Sequence, residues 1–148
     1  MVKRKTNPRT FFSSHEKDRI IEAIRQAERR TSGEIRVYLE RRAGGDLWRR
    51  ARKVFEKLKM THTTKRNGVL IYLSLTDRCF VLLGDKGIHE KVGETFWKQV
   101  VVRMQEFFRK EEFLEGLLAG IRELGEKLRL YFPPETDDKN ELSDQIPE

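Results

Sequence analysis

The segment spanning residues 66–88 constrains the fold more than any other part of the chain. It holds two apolar runs, 69–73 and 79–83, separated by the polar residues 74–78. Short runs rich in Val, Ile, Leu and aromatic side chains, bounded by Asn-Gly and Gly-Asp, predict two buried strands. A connection this short makes the two strands antiparallel neighbours. They therefore form the sheet on which the rest of the chain must pack.

A third strand is predicted earlier in the chain, at residues 34–40. Ile35, Val37 and Leu39 alternate there with polar or amphipathic residues, which indicates a strand with one strongly buried face. One helix, capped by Asp46, separates this strand from the pair. Strand, helix and strand form a βαβ unit with parallel strands and a right-handed crossover. The predicted fold class is α/β, a small mixed β-sheet of a parallel βαβ unit plus an antiparallel hairpin strand, with helices packed on both faces.

Three further helices are predicted around this sheet. The first begins after Ser13, where Glu16 stands three residues later at the spacing of a capping box. The other two run over about residues 93–110 and 111–131, where apolar side chains recur at helical intervals. These helices supply the apolar faces that cover the sheet.

Length and composition define the domain and its surroundings. A chain of 148 residues fits one domain. We predict a disordered basic N-terminus at 1–10, a domain at 11–134 and a disordered acidic tail at 135–148. No apolar run is long enough for a membrane span or a secretory signal. The single cysteine, Cys79, is predicted to be an inert thiol in the core. We expect a cytoplasmic protein that can lie peripherally at a membrane.

Positive charge is concentrated in the first half of the chain. Residues 1–66 contain 20 Lys or Arg and 8 Asp or Glu, whereas residues 67–148 contain 11 and 16. The helix after Asp46 carries the strongest basic face. A surface for an anionic partner is predicted there, at Arg49, Arg50, Arg52 and Lys53. Such a surface suits an anionic membrane or nucleic acid. The aromatic residues lie at core positions, which disfavours nucleic acid because base stacking needs exposed aromatic side chains.

Four segments along the chain match a known pattern in order and spacing. They are Thr31-Ser32-Gly33-Glu34-Ile35, Asn67-Gly68-Val69-Leu70, Asp77-Arg78 and Gly84-Asp85-Lys86-Gly87-Ile88. Together they resemble the TPM domain family, named after thylakoid-lumen, photosystem II repair and nematode receptor-associated founders. The resemblance implies a small sheet between helices. It also implies one of several roles, since some members are reported as acid phosphatases, some bind calcium, and others look like non-catalytic parts of membrane-associated assemblies.

Four carboxylates are predicted near the sheet end that includes Asn67: Glu34, Asp85, Glu90 and Glu94. If they converge, they supply oxygen ligands for Ca²⁺ or Mg²⁺, which would polarise a phosphoryl oxygen. Each also has a structural explanation, such as the turn at Asp85 or the first helical turn at Glu94. Many family members carry an acidic residue directly before the Asn-Gly-Val segment, where this chain has Arg66. An arginine there would repel a cation.

The opposite end of the parallel pair collects a second charged group. Its members are Glu40, Arg41, Arg42, Asp46, Asp77 and Arg78. Open α/β sheets usually bind ligands at this carboxyl end, and arginine side chains there can hold a phosphate group. The alternative is ordinary turn, capping and loop chemistry. His15, His62 and His89 lack the spacing of metal ligands.

These patterns favour a TPM-domain protein that acts as a non-catalytic binding or assembly module. Its partner would be an unidentified protein or an anionic membrane surface, and Ca²⁺ or Mg²⁺ is the only candidate cofactor. The alternative is a Ca²⁺- or Mg²⁺-assisted, acid phosphatase-like hydrolase of phosphate esters that uses Glu34 and Asp85.

Overall fold

The computed structural model describes residues 5–135 and contains the predicted elements in the predicted order. The elements are α1 (Ser14–Glu28), β1 (Glu34–Glu40), α2 (Leu47–Lys57), β2 (Gly68–Ser74), β3 (Cys79–Gly84), α3 (Lys86–His89), α4 (Glu94–Arg109) and α5 (Phe113–Tyr131). Ser13 and Glu16 form the predicted capping box at α1. None of the helices in this part of the chain combines the length and apolarity that a bilayer crossing requires.

The disorder predicted for residues 1–10 and 135–148 falls largely outside the described part of the chain. Within the described part, residues 7–10 form a turn. The amides of Thr10 and Phe11 donate to the carbonyl oxygen of Asn7, at 3.1 and 2.9 Å. This turn leads directly into the first buried residues, Phe11 and Phe12.

The three strands form one mixed sheet in the order β1-β2-β3. β1 is parallel to β2, with Glu34 opposite Gly68 and Glu40 opposite Ser74. β2 is antiparallel to β3, with Val69 opposite Gly84. The predicted α/β class and mixed sheet are therefore confirmed. This register brings the amino ends of β1 and β2 together at one edge and their carboxyl ends together at the other.

Helices cover both faces of the sheet. On one face, Ile35, Val37 and Ile71 join a large core shared with α1, α4 and α5. On the other face, Tyr38 and Tyr72 join a smaller core shared with α2. Because both faces are covered, β1 is buried over all but its last residue. The sequence pattern indicated one strongly buried face for β1, and the structure buries the other face as well.

Two details at the ends of β3 also differ from the sequence prediction. Cys79 is exposed rather than part of the core, because it is the first residue of an edge strand and directly follows the turn. After β3 the chain forms α3, a single helical turn that was not predicted. The side chain of Asp85 caps this turn by accepting a hydrogen bond from the Lys86 amide at 2.7 Å.

Candidate functional site

The amino ends of β1 and β2 place Glu34 and Asn67 beside the loop that carries Asp85, as the topology predicts. Asp85 is only 5% exposed, and its amide donates to the carbonyl oxygen of Gly68 at 2.9 Å. Arg66 holds the carboxylate from the other side: Nε lies 2.7 Å from Oδ2 and Nη2 lies 2.9 Å from Oδ1. Both oxygens of Asp85 therefore accept charge-assisted hydrogen bonds from within the chain.

Local backbone contacts fix Arg66 in this position. Its φ of 52° lies in the left-handed region, which non-glycine residues seldom adopt. Its amide donates to the carbonyl oxygen of Thr63 at 3.2 Å, and its own carbonyl oxygen accepts from the Gly87 amide at 2.8 Å. Hydrogen bonding to Asp85 is the main reason that the pKa of Arg66 is raised, and the charge of Glu90 adds to it. The guanidinium is thus a permanent cation at this edge.

The four predicted metal ligands do not share one environment. Glu34 is buried, and its Oε2 lies 4.0 Å from Nη2 of Arg36. Glu90 and Glu94 are exposed, and Glu90 acts on Arg66 through its charge. Across residues 5–135, no three His, Cys, Asp or Glu side chains are arranged to hold a metal ion.

The residues at this edge do not fit a Ca²⁺ or Mg²⁺ ion. A calcium ion needs six to eight oxygen ligands, several of them from carboxylates. The Asp85 carboxylate is instead occupied by the Arg66 guanidinium, whose charge repels a second cation at the same oxygens. No catalytic step through a metal follows from this arrangement.

At the opposite edge, Glu40 forms the centre of a partly buried network. Arg50 donates to both of its oxygens, Nε to Oε1 at 2.7 Å and Nη2 to Oε2 at 2.6 Å. The hydroxyl of the fully buried Tyr72 donates to Oε1 at 2.6 Å. Hydrogen bonding from Arg50 is the main cause that lowers the pKa of Glu40, whereas burial is the main cause that raises the pKa of Tyr72. Arg50, predicted to bind an external anion, therefore has an internal partner.

The loop between β1 and α2 is fixed to the hairpin turn. Oδ2 of Asp77 accepts from the Ser74 hydroxyl at 2.6 Å and from the Ala43 amide at 3.1 Å. Both hydrogen bonds lower the pKa of Asp77, and the one from Ser74 has the larger effect. Asp46 accepts from the Arg49 amide at 2.9 Å and caps α2. Both carboxylates thus have the structural roles that the sequence offered as an alternative to ligand binding.

A hollow of about 470 Å³ opens between this loop and α2. The charged side chains that line it are Glu40, Arg42, Asp46, Arg49, Arg50 and Lys53. Glu40 and Arg50 neutralise each other, and the carboxylate of Asp46 offsets one of the three other cations. Within the described residues, no ion pair links Arg42, Arg49 or Lys53 to a carboxylate. The hollow therefore carries an excess of positive charge, as expected for a site that binds an anion.

The outer surface of α2 continues this positive charge. We call Arg49, Arg52 and Lys53 the basic α2 face; all three side chains are exposed. Directly beside them lies Trp48, which is 50% exposed. Sequence reasoning missed Trp48 as a surface residue. The signal was present, however, because residue 48 lies outside the apolar stripe that places Ala51, Val54 and Phe55 in the core.

Comparisons with known proteins agree with this fold. The family model described as TPM domain matches residues 6–127. Among solved structures, the NMR structure of the BA42 protein from the psychrophilic bacterium Bizionia argentinensis is similar, with a TM-score of 0.90 and 42% sequence identity. The match covers 96% of this chain and 98% of that chain. No curated protein matches this sequence.

Proposed function

This chain belongs to the TPM domain family, and from that premise we propose that it is a non-catalytic binding module that docks on an anionic membrane surface. The contact surface is the basic α2 face. One observation carries the proposal: three exposed cations without ion-pair partners in the described residues lie on one helix, beside a half-exposed tryptophan. The association would be peripheral, at the level of the lipid headgroups.

The packing of α2 determines how such contact would occur. Its apolar side chains, Ala51, Val54 and Phe55, are buried against the sheet, so the helix has no apolar face to insert into lipid. Binding must come from charge. Each Lys or Arg near an anionic bilayer contributes about 1 kcal/mol, so the three residues together supply about 3 kcal/mol, or roughly a hundredfold in partitioning. This strength gives reversible binding that depends on salt.

Trp48 favours a membrane over other anionic partners. Tryptophan is enriched at membrane interfaces, where its apolar ring and polar N–H both find suitable surroundings. A single-stranded nucleic acid would instead need several aromatic side chains that stack on successive bases. Three other large apolar side chains are also exposed: Val102 on α4, and Leu130 and Tyr131 on α5. None of these three belongs to α2, so Trp48 alone accompanies the basic α2 face.

Vesicle sedimentation tests this proposal. At low salt we expect the protein to bind vesicles that contain phosphatidylserine and not vesicles of pure phosphatidylcholine. Replacing the basic α2 face (Arg49→Gln, Arg52→Gln, Lys53→Gln) should lower the partition coefficient by roughly a hundredfold, because about 3 kcal/mol of attraction is lost. The matched control is Lys98→Gln, Arg103→Gln, Arg109→Gln on α4, which removes the same charge and should retain most of the binding. Equal losses in both variants would contradict a specific docking surface.

The alternative function is a Ca²⁺- or Mg²⁺-assisted hydrolase of phosphate esters that uses Glu34 and Asp85. The bidentate contact between Arg66 and Asp85 argues for the binding module instead. We expect that titration with either ion leaves the amide NMR shifts of Gly68 and Asp85 unchanged. We also expect no chelator-sensitive cleavage of an aryl phosphate. Ion-dependent shifts, together with cleavage that Asp85→Asn abolishes, would establish the hydrolase and overturn the proposal.

A further inference from the structure

We propose that the hollow beside α2 is a binding site for a phosphomonoester, held by Arg42, Arg49 and Lys53. The ligand would be either a lipid headgroup or a soluble phosphate ester. This inference rests on the proposed function, since Arg49 and Lys53 also belong to the basic α2 face. It goes further because Arg42 lies outside that face, on the loop after β1, and because it assigns a chemical class of ligand.

Two separate elements bring positive charge into the hollow. Arg49 and Lys53 stand four residues apart on α2, so they lie on the same side of the helix. Arg42 reaches the same hollow from the loop. The only carboxylates in its lining are already engaged: Glu40 accepts from Arg50 and Tyr72, and Asp46 caps α2. The lining holds four basic and two acidic side chains, so it keeps an excess of two positive charges. Arg42 also acts through its charge on Asp77, which accepts a hydrogen bond from Ala43.

The chemistry of the lining fits a phosphomonoester better than a phosphodiester. A phosphomonoester presents three terminal oxygens and up to two negative charges, whereas a phosphodiester presents two oxygens and one charge. Two guanidinium groups and one ammonium group can donate to several of these oxygens at once. The lining contains no apolar side chain larger than that of Ala43, so it does not suit an acyl chain. The hollow, about 470 Å³ in volume, is open to solvent, so the rest of an ester can extend outward from a bound phosphate group.

The wall of the hollow is ordered by contacts that need no ligand. The Ala43 amide donates a hydrogen bond to the Asp77 carboxylate, and Asp46 caps the start of α2. Between them, Gly44 and Gly45 have φ values of 72° and 134°, which glycine adopts without strain. The Glu40–Arg50 ion pair forms a further part of the lining. A site formed in advance loses less entropy when a ligand binds.

Two single variants with the same charge change test the assignment. Arg42→Gln removes a cation from the hollow, whereas Arg52→Gln removes one from the basic α2 face outside the hollow. Both side chains are exposed, and unchanged amide spectra would verify the folds. We expect the wild-type protein to bind vesicles with phosphatidic acid about tenfold more tightly than vesicles with phosphatidylserine at equal surface charge. Arg42→Gln should lose this preference, and Arg52→Gln should keep it while binding both lipids more weakly.

A soluble titration distinguishes the two sources of the phosphomonoester. If glycerol 3-phosphate at millimolar concentration shifts the amides of Gly44 and Gly45, the ligand can be a free phosphate ester. A phosphatidic acid preference without those shifts identifies the lipid headgroup. Binding to phosphatidylserine with no preference and no shifts would overturn this inference and leave the docking proposal standing. Amide shifts without any vesicle binding would support this site and overturn the docking proposal.

Discussion

Replacing Gly87 with alanine is expected to destabilise the protein by about 3 kcal/mol, at the upper end of the usual cost of overpacking. A Cβ atom at this position would lie 2.1 Å from the carbonyl oxygen of Lys65 and 2.6 Å from that of Arg66. Both are backbone atoms, so they cannot move aside as a flexible side chain would. The Gly87 amide also donates to the Arg66 carbonyl oxygen at 2.8 Å, which holds the two segments together.

Urea denaturation measures this effect, and Gly93→Ala serves as the control. A Cβ atom at Gly93 would meet no atom within 4 Å. Because Gly93 is the N-cap of α4, its replacement should cost less than about 1 kcal/mol. We also expect Gly87→Ala to shift the amide resonances of Arg66 and Asp85, since α3 must move away from them. Equal midpoints for the two variants would show that the close contact does not constrain the fold.

Glu40→Ala is expected to cost about 2 kcal/mol, because it leaves the Tyr72 hydroxyl and Arg50 without their partner. The loss should be smaller than the 3–5 kcal/mol typical of a fully buried pair. Water reaches this pair, since the side chains of Arg50 and Glu40 are 33% and 20% exposed. Tyr72→Phe removes only the hydroxyl and should cost about 1 kcal/mol. In the double variant with Glu40→Ala and Tyr72→Phe, the loss of unfolding free energy should differ from the sum of the two single losses. Additive losses would argue against a shared network.

The same network predicts a dependence of stability on pH. The pKa of Glu40 is lowered in the folded protein, mainly by its hydrogen bonds from Arg50. Its stabilising contribution is therefore complete above its ordinary value of 4.5 and is lost as the pH falls through the lower, folded-state pKa. Glu40→Gln cannot titrate, so its unfolding free energy should fall less steeply than that of the wild type below about pH 4.5.

The sequence was sufficient for the sheet because its signals are local. Alternating and continuous apolar runs fix strands, and the helix between Glu40 and Gly68 requires a parallel pair. That topology also grouped Glu34 with Asp85, and Glu40 with Asp77, at opposite edges. The exposure of Cys79 escaped prediction because an apolar run does not reveal which of its residues lies at the end of an edge strand.

The partners of individual side chains could not be predicted, because they depend on contacts between distant segments. Arg50 looked like part of a uniform basic surface, yet Glu40, ten residues away, accepts hydrogen bonds from its guanidinium. Arg66 and Asp85 are separated by 19 residues, and their bidentate contact depends on the left-handed backbone at Arg66. Charge patterns thus indicated where anions and cations gather, while the folded structure decides which charges remain available to a ligand.

The cation beside Asp85 is covalently attached to the chain. A dissociable metal ion at such a position would make the local structure respond to the composition of the surrounding fluid. The tethered guanidinium instead has an effective concentration set by chain connectivity alone. This edge of the sheet should therefore keep its shape whether divalent ions are depleted or abundant.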